Sequence, residues 1–320
     1  MPGYPIGGGR PKGILIVQSC LFLTMVVRIL SVSDLCGYLY CKRKLYIEKV
    51  LGIREPARPQ LALGSVRHRL YESVSKGEQQ LVSSVQRAEQ DHIAAIYRSA
   101  YSSALRNALI SMRSRLQQFA IDLSAAFRDI WPKVSVDAEK RAAVVFAVAH
   151  ERNVAGPALW DALYPKIDSE QWISSDQLGI RGIVDRIERW PDRLLPVELK
   201  TGSMPQDGVW PSHRVQIACY MLLVSEREGA VIDRGIVEYL DHGARREVVY
   251  NPFMREEVVR LRDNVRALFA SAQIPEPCGK ASCLFCRRSE LPSDPQELRE
   301  YFRVLFADTA KRLAGARHTA

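Results

Sequence analysis

The chain has 320 residues, 47% of them hydrophobic and 25% charged, which excludes a disordered polymer and allows one large domain or two modest ones. The formal net charge of +9 favours polyanionic partners, nucleic acid first. Seven cysteines, an odd number with three inside nine residues, exclude the pattern of a small secreted disulfide scaffold and suit a metal or cluster site in a reducing, cytoplasmic setting.

Residues 1–27 read as an N-terminal extension outside the fold, with 1–24 dispensable if Met25 is the natural start. The apolar run 14–27 has the character of a signal-peptide core but lacks a cleavage site, and it is short for a membrane span, so no membrane association is expected. Residues 28–75 are predicted to form N-terminal helices, with Ser33 as cap and one helix running to Gly52, then a proline-bearing loop over 54–63. Residues 76–165 form a helical insertion of two to four helices, including the long amphipathic stretch 98–127. Its arginines (Arg87, Arg98, Arg106, Arg113, Arg115) suit either a DNA-gripping cap or a solvated basic face. Tyr97 and Tyr101 suit the core better than base stacking.

The pattern changes in the core segment, 166–272. Trp172–Ile173, Ile180–Glu188 and 193–202 read as strands, the last two joined by a turn at WPDR. Residues 211–227 read as a helix, 234–240 and 246–251 as strands, and 252–272 as a further helix. Residues 273–320 hold the cysteine cluster and a basic C-terminal helix. The expected fold is α/β, a core sheet flanked by helices with a helical insertion.

Gly182-Ile-Val-Asp185 precedes Glu198-Leu-Lys200 by thirteen residues, Asp to Glu. Residues two apart on a strand share a face, so Glu198 and Lys200 project together while Leu199 points into the core. A neighbouring strand can set Asp185 beside Glu198. Two adjacent carboxylates repel unless a cation lies between them, and Mg²⁺ or Mn²⁺ suits such oxygen ligands. Lys200 would orient water or offset developing negative charge. An isolated E-x-K is usually an exposed ion pair, but the apolar V-E-L-K context points to a central strand. His68 is a candidate nitrogen ligand, and Gln216 and Tyr220, four apart on one helix face, could hold a phosphate or order water.

In this order, G-x-x-x-H, G-I-V-D, V-E-L-K-T-G and H-R-x-Q-x-x-x-Y resemble the RecB-like PD-(D/E)XK nucleases, of restriction-endonuclease-like fold. YCKRKLYIEKVLGI with a C-terminal cysteine group resembles the CRISPR-associated RecB-like exonucleases, the fourth Cas family. The resemblance covers about residues 28–75 and 178–288. It implies metal ligation by His68, Asp185, Glu198 and the Leu199 carbonyl, catalysis by Lys200, and roles for Gln216 and Tyr220 near the site. It implies exonuclease action on single-stranded DNA ends during spacer acquisition, with the CRISPR integrase as partner.

Cys278-x4-Cys283-x2-Cys286 supplies three thiolates, and Cys41 is the family-like fourth. Four thiolates suit a 4Fe–4S cluster, which the resemblance favours, or zinc. The family's usual cysteine beyond the C-x2-C pair is missing near Pro292, and Cys278 lies upstream instead. Cys36 is a fifth candidate; Cys20 and Cys219 read as small apolar residues. Two other readings stand: a repair nuclease working with a separate helicase, since the chain has no helicase P-loop, and a non-catalytic iron–sulfur DNA-binding protein.

Overall fold

The computed structural model describes residues 29–281, 283–292 and 294–315. The apolar run 14–27 and Met25 lie outside the described residues. No helix among the described residues is long and apolar enough to cross a membrane.

A short strand, β1 (Leu30–Ser31), leads into α1 (Val32–Tyr40). The cap is Ser31, not Ser33: the Asp34 amide donates to its hydroxyl at 3.1 Å and the Ser31 amide donates to the Asp34 carboxylate at 3.0 Å. This reciprocal box decides the helix start, because Ser33 already lies within the first turn. The expected single helix is broken at Cys41, whose extended backbone ends α1 and whose sulfur accepts from the Lys44 amide to begin α2 (Lys42–Lys49).

The expected loop ends early. Pro59, at a position where a missing N–H costs nothing, opens α3 (Pro59–Ser83), so Gly64 and His68 lie inside a helix. The helices α4 (Gln90–Ser111), α5 (Arg113–Gln117), α6 (Leu123–Arg152) and α7 (Gly156–Ala162) follow. The stretch 98–127 is therefore not one helix. It breaks after Ser111 and again at Ala120, where φ is +52°. Tyr97 is fully buried and Tyr101 is 6% exposed, so both are core residues and cannot stack on DNA bases.

The sheet contains β2 (Lys166–Ser175), β3 (Ile180–Arg189), β4 (Leu194–Lys200), β5 (Arg234–Tyr239) and β6 (Ala244–Val249) besides β1. The order is β1-β3-β4-β5-β6, with β2 also on β3. The β2–β3, β3–β4 and β5–β6 pairs are antiparallel; β1–β3 and β4–β5 are parallel, the latter joined through α8 (Pro211–Glu228). Two helices complete the chain, α9 (Met254–Ala270) and α10 (Pro295–Gly315).

Each sheet face buries its own core. Val197, Leu199 and Ile236 pack with α3–α7, while Val184, Ile187, Val237 and Tyr239 pack with α1, α8 and α9. This two-sided burial explains the apolar V-E-L-K run. A third cluster gathers Cys41, Cys283, Phe285, Phe302 and Phe306.

Candidate metal-dependent active site

Strand β3 changes neighbours along its length. Its start pairs with β1 at Ile180 and Arg181, and its end pairs with β4 from Arg186 to Arg189. Residues 182–185 fall between the two partners. Extending the β3–β4 register places Asp185 opposite Glu198, and extending β2–β3 places Glu170 opposite Asp185. Strict alternation also fails here. Val184 and Ile187, three residues apart, both enter the core beneath α8. Glu170 sits at φ +51°, an uncommon conformation for a residue with a side chain. Such local breaks re-aim side chains beside active sites.

His68 descends from α3 onto this point. Its Nδ1 lies 3.4 Å from an Asp185 oxygen and 3.6 Å from a Glu170 oxygen. His68, Glu170 and Asp185 offer ligand atoms all within 4.8 Å of one another. Glu170 is the residue that sequence reading missed. The polar run KIDSEQ shows no alternation of a half-buried strand, so β2 seemed to begin at Trp172.

Glu198 lies on the other side of Asp185 and is 3% exposed. Its Oε1 accepts from Lys200 Nζ and from Gln216 Nε2, both at 2.7 Å. Gln216 joins the group together: its Oε1 accepts from Lys200 at 2.8 Å and its Nε2 also donates to the Tyr220 hydroxyl at 3.2 Å. The predicted side-chain set, Asp185, Glu198, Lys200, Gln216, Tyr220 and His68, is thus brought to one place. For Leu199 the bond formed is from its amide, which donates to Asp185 Oδ2 at 2.7 Å.

Burial and charge oppose one another across the site. Burial, and then the Asp185 carboxylate, push Glu198 up to about 8. Burial opposes the His68 imidazolium, but Asp185 and Glu170 overcome it and raise His68 to about 10. Burial likewise opposes charge on Asp185, yet His68 and the Leu199 amide hold its carboxyl below its usual range. Lys200 is raised despite burial because Glu198 faces it. The remaining Glu198 oxygen, Oε2, is buried without a hydrogen-bond partner. An orphaned carboxylate oxygen beside two further acids and an imidazole fits a divalent ion, whose ligands these groups would be.

A family model described as the PD-(D/E)XK nuclease superfamily matches residues 29–291. The chain belongs to this superfamily. PD-(D/E)XK nucleases use divalent metals, and this sequence carries Asp185, Glu198 and Lys200 in D…E-x-K order. No curated protein matches the chain. Among solved structures, "Crystal structure of SSO0001" is similar at 20% identity over 50% of this chain and 69% of that one, with a TM-score of 0.24, too low to carry an argument.

The PD-(D/E)XK chain has a second group of potential ligands. Cys41, Cys278, Cys283 and Cys286 place their sulfurs within 4.8 Å of one another. Cys41 Sγ lies 3.5 Å from Cys286 Sγ and 3.8 Å from Cys283 Sγ. The group is able to hold an iron–sulfur cluster or zinc. Cys36 stands apart: its thiol donates to the Ser212 carbonyl at 3.4 Å, and burial pushes it up to about 12. Cys219, on α8 itself, is fully buried in the core. A further residue, Arg43, escaped sequence reading. It is 4% exposed and donates to the carbonyls of Pro275, Arg288 and Ser289 at 2.7, 2.7 and 2.8 Å, tying α2 to the cysteine loop.

Proposed function

We propose that this PD-(D/E)XK protein is a DNA exonuclease that hydrolyses single-stranded ends, with Asp185, Glu198, His68 and Glu170 holding Mg²⁺ or Mn²⁺. The observation that carries this reading is the convergence of His68, Glu170 and Asp185 where β3 lies between two partners, with Glu198 and its ion pair to Lys200 beside Asp185. The ion, when bound, would lower the pKa of its water and offset charge on the scissile phosphate. Lys200, kept protonated by Glu198, orients the attacking water and faces the negative charge that develops on the phosphate oxygens. Gln216 fixes the Lys200 and Glu198 rotamers through one side-chain amide. Tyr220, its phenol pushed up by burial, stays a neutral partner to Gln216. Water adds to phosphorus and releases a proton to solvent, the P–O bond to the leaving nucleotide breaks, and that oxygen takes up a proton from solvent.

The motif order supports a role in CRISPR spacer acquisition, with the integrase as partner. The alternative is an end-processing repair nuclease working with a helicase, and neighbouring genes discriminate between the two. The cysteine group supports a 4Fe–4S cluster through the same motif order. One observation favours zinc: Zn–S bonds of about 2.3 Å set thiolates roughly 3.8 Å apart, close to the separations here. Anaerobic purification with metal analysis decides: about four irons per chain carries the cluster, one zinc the alternative.

The test of the nuclease is release of nucleotides from end-labelled single strands with Mn²⁺. Asp185→Asn and Lys200→Ala are expected to abolish release with unchanged far-UV circular dichroism. Wild-type rates in either variant sink the assignment. A wild-type protein that binds strands but never cuts them, in Mg²⁺ or Mn²⁺, supports the non-catalytic DNA-binding reading instead.

A further inference from the structure

Beyond the metal site, the β2–β3 hairpin presents two exposed apolar side chains. Trp172 and Ile183 are paired across the hairpin and are 61% and 47% exposed. Their neighbours in register, Ile173 and Gly182, face α8: Ile173 enters the core beneath it, and a Cβ on Gly182 would meet Tyr220. Trp172 and Ile183 therefore face the opposite way, the side from which His68 descends. They lie two residues from Glu170 and Asp185 respectively, so the apolar surface continues directly into the carboxylate site. Arg181, two residues before Ile183 and on the same side, is exposed and makes no ion pair among the described residues.

We propose that Trp172 and Ile183 form a stacking platform for one unpaired base of single-stranded DNA, with Arg181 on the adjoining phosphate. This rests on the nuclease reading above. A large exposed aromatic costs solubility and is expected to have an occupant when it adjoins a site for a polyanion. Indole stacks on any base, because every base has a π-face, so the platform would hold a strand beside the metal without reading its sequence. A base stacked inside a duplex cannot use such a platform, which makes the surface selective for unpaired ends. Arg181 supplies the positive charge that a phosphate needs, and the +9 net charge assists the encounter.

The experiment is fluorescence anisotropy with a labelled oligothymidylate and an abasic strand of equal length, in EDTA so that nothing is cut. Trp172→Ala should weaken oligothymidylate binding roughly tenfold or more, the effect of losing one base–aromatic stack, and Trp172→Phe should restore most of it. Both proteins should bind the abasic strand equally. Unchanged affinity for oligothymidylate in Trp172→Ala, with wild type still binding and cleaving, overturns the platform and leaves the nuclease intact. Failure of the wild type to bind any strand or to cleave with Mn²⁺ overturns both. A wild-type dimer by light scattering that Trp172→Ala converts to monomer, with DNA affinity unchanged, assigns the surface to a second copy and also overturns the proposal.

Discussion

Glu170 stands opposite Asp185 across the β2–β3 hairpin, and both carboxylates reach the His68 imidazole, at 3.6 and 3.4 Å. The left-handed backbone at Glu170, φ +51°, turns its side chain toward that imidazole. A residue held in such a conformation, with its carboxylate on a shared imidazole, belongs with the candidate site rather than with the solvated strand surface.

Glu170→Gln keeps the shape and removes a charge. The metal concentration for half-maximal cleavage should rise by at least the roughly 10–100-fold that loss of an outer-shell partner costs, and excess Mn²⁺ should restore activity. A titration of cleavage against Mn²⁺ checks this. An unchanged midpoint would remove Glu170 from the ligand set.

Gly182 allows Tyr220 to reach the site. A Cβ there would meet Tyr220 Cε1 at 2.8 Å and Val32 Cγ2 at 3.0 Å. Gly182→Ala should lower stability by about 1–3 kcal/mol and reduce cleavage by displacing Tyr220 from Gln216. Denaturant unfolding measures the first effect. Pairing the change with Tyr220→Leu should recover part of the stability but not the activity.

Asp241 neutralises a buried cation. Arg67, 4% exposed, donates from Nη1 to Asp241 at 2.6 Å, and Lys133 donates to the same carboxylate at 2.9 Å. Burial opposes ionisation, but Lys133, the Gly202 amide and Arg67 hold the carboxyl at about 2. The folded value lies below the unfolded one, so this stabilisation is fully present above about pH 4 and is lost as pH falls through about 2. Asp241→Asn should cost about 2–3 kcal/mol at neutral pH, and the difference from wild type should shrink on acidification. Unfolding at pH 7 and pH 3 tests the sign.

A metal or cluster held by the cysteine group would close a loop of 245 residues between Cys41 and Cys286. Removing its metal with a chelator, or changing Cys283 to Ser, should lower the melting temperature by several degrees, because the open chain regains loop entropy. Arg43→Lys should do so with the metal retained at first, since an ammonium cannot span three carbonyls as a guanidinium does. Cys36→Ser should leave the metal content unchanged. Loss of metal in that variant would place Cys36 among the ligands.

The candidate site was legible in the chain wherever its chemistry rides on regular structure. Asp185, Glu198 and Lys200 show themselves because strand period places them, and Gln216 and Tyr220 because a helix turn does. Glu170 did not, because an irregular backbone aims it and periodicity says nothing about irregular backbone. Arg43 did not, because its partners are carbonyls more than 230 residues away, and backbone carbonyls carry no sequence signature.

Residue order alone therefore determined the α/β alternation, the acid–acid–lysine order and the three clustered thiols Cys278, Cys283 and Cys286, all properties of spacing, whereas Cys41 as the fourth came from the family resemblance. Tertiary structure alone decided where β3 changes partner, that Ser31 rather than Ser33 begins α1, and that His68 meets Glu170 as well as Asp185. Those outcomes depend on which surfaces bury one another, and burial is set by contacts between segments far apart in the chain.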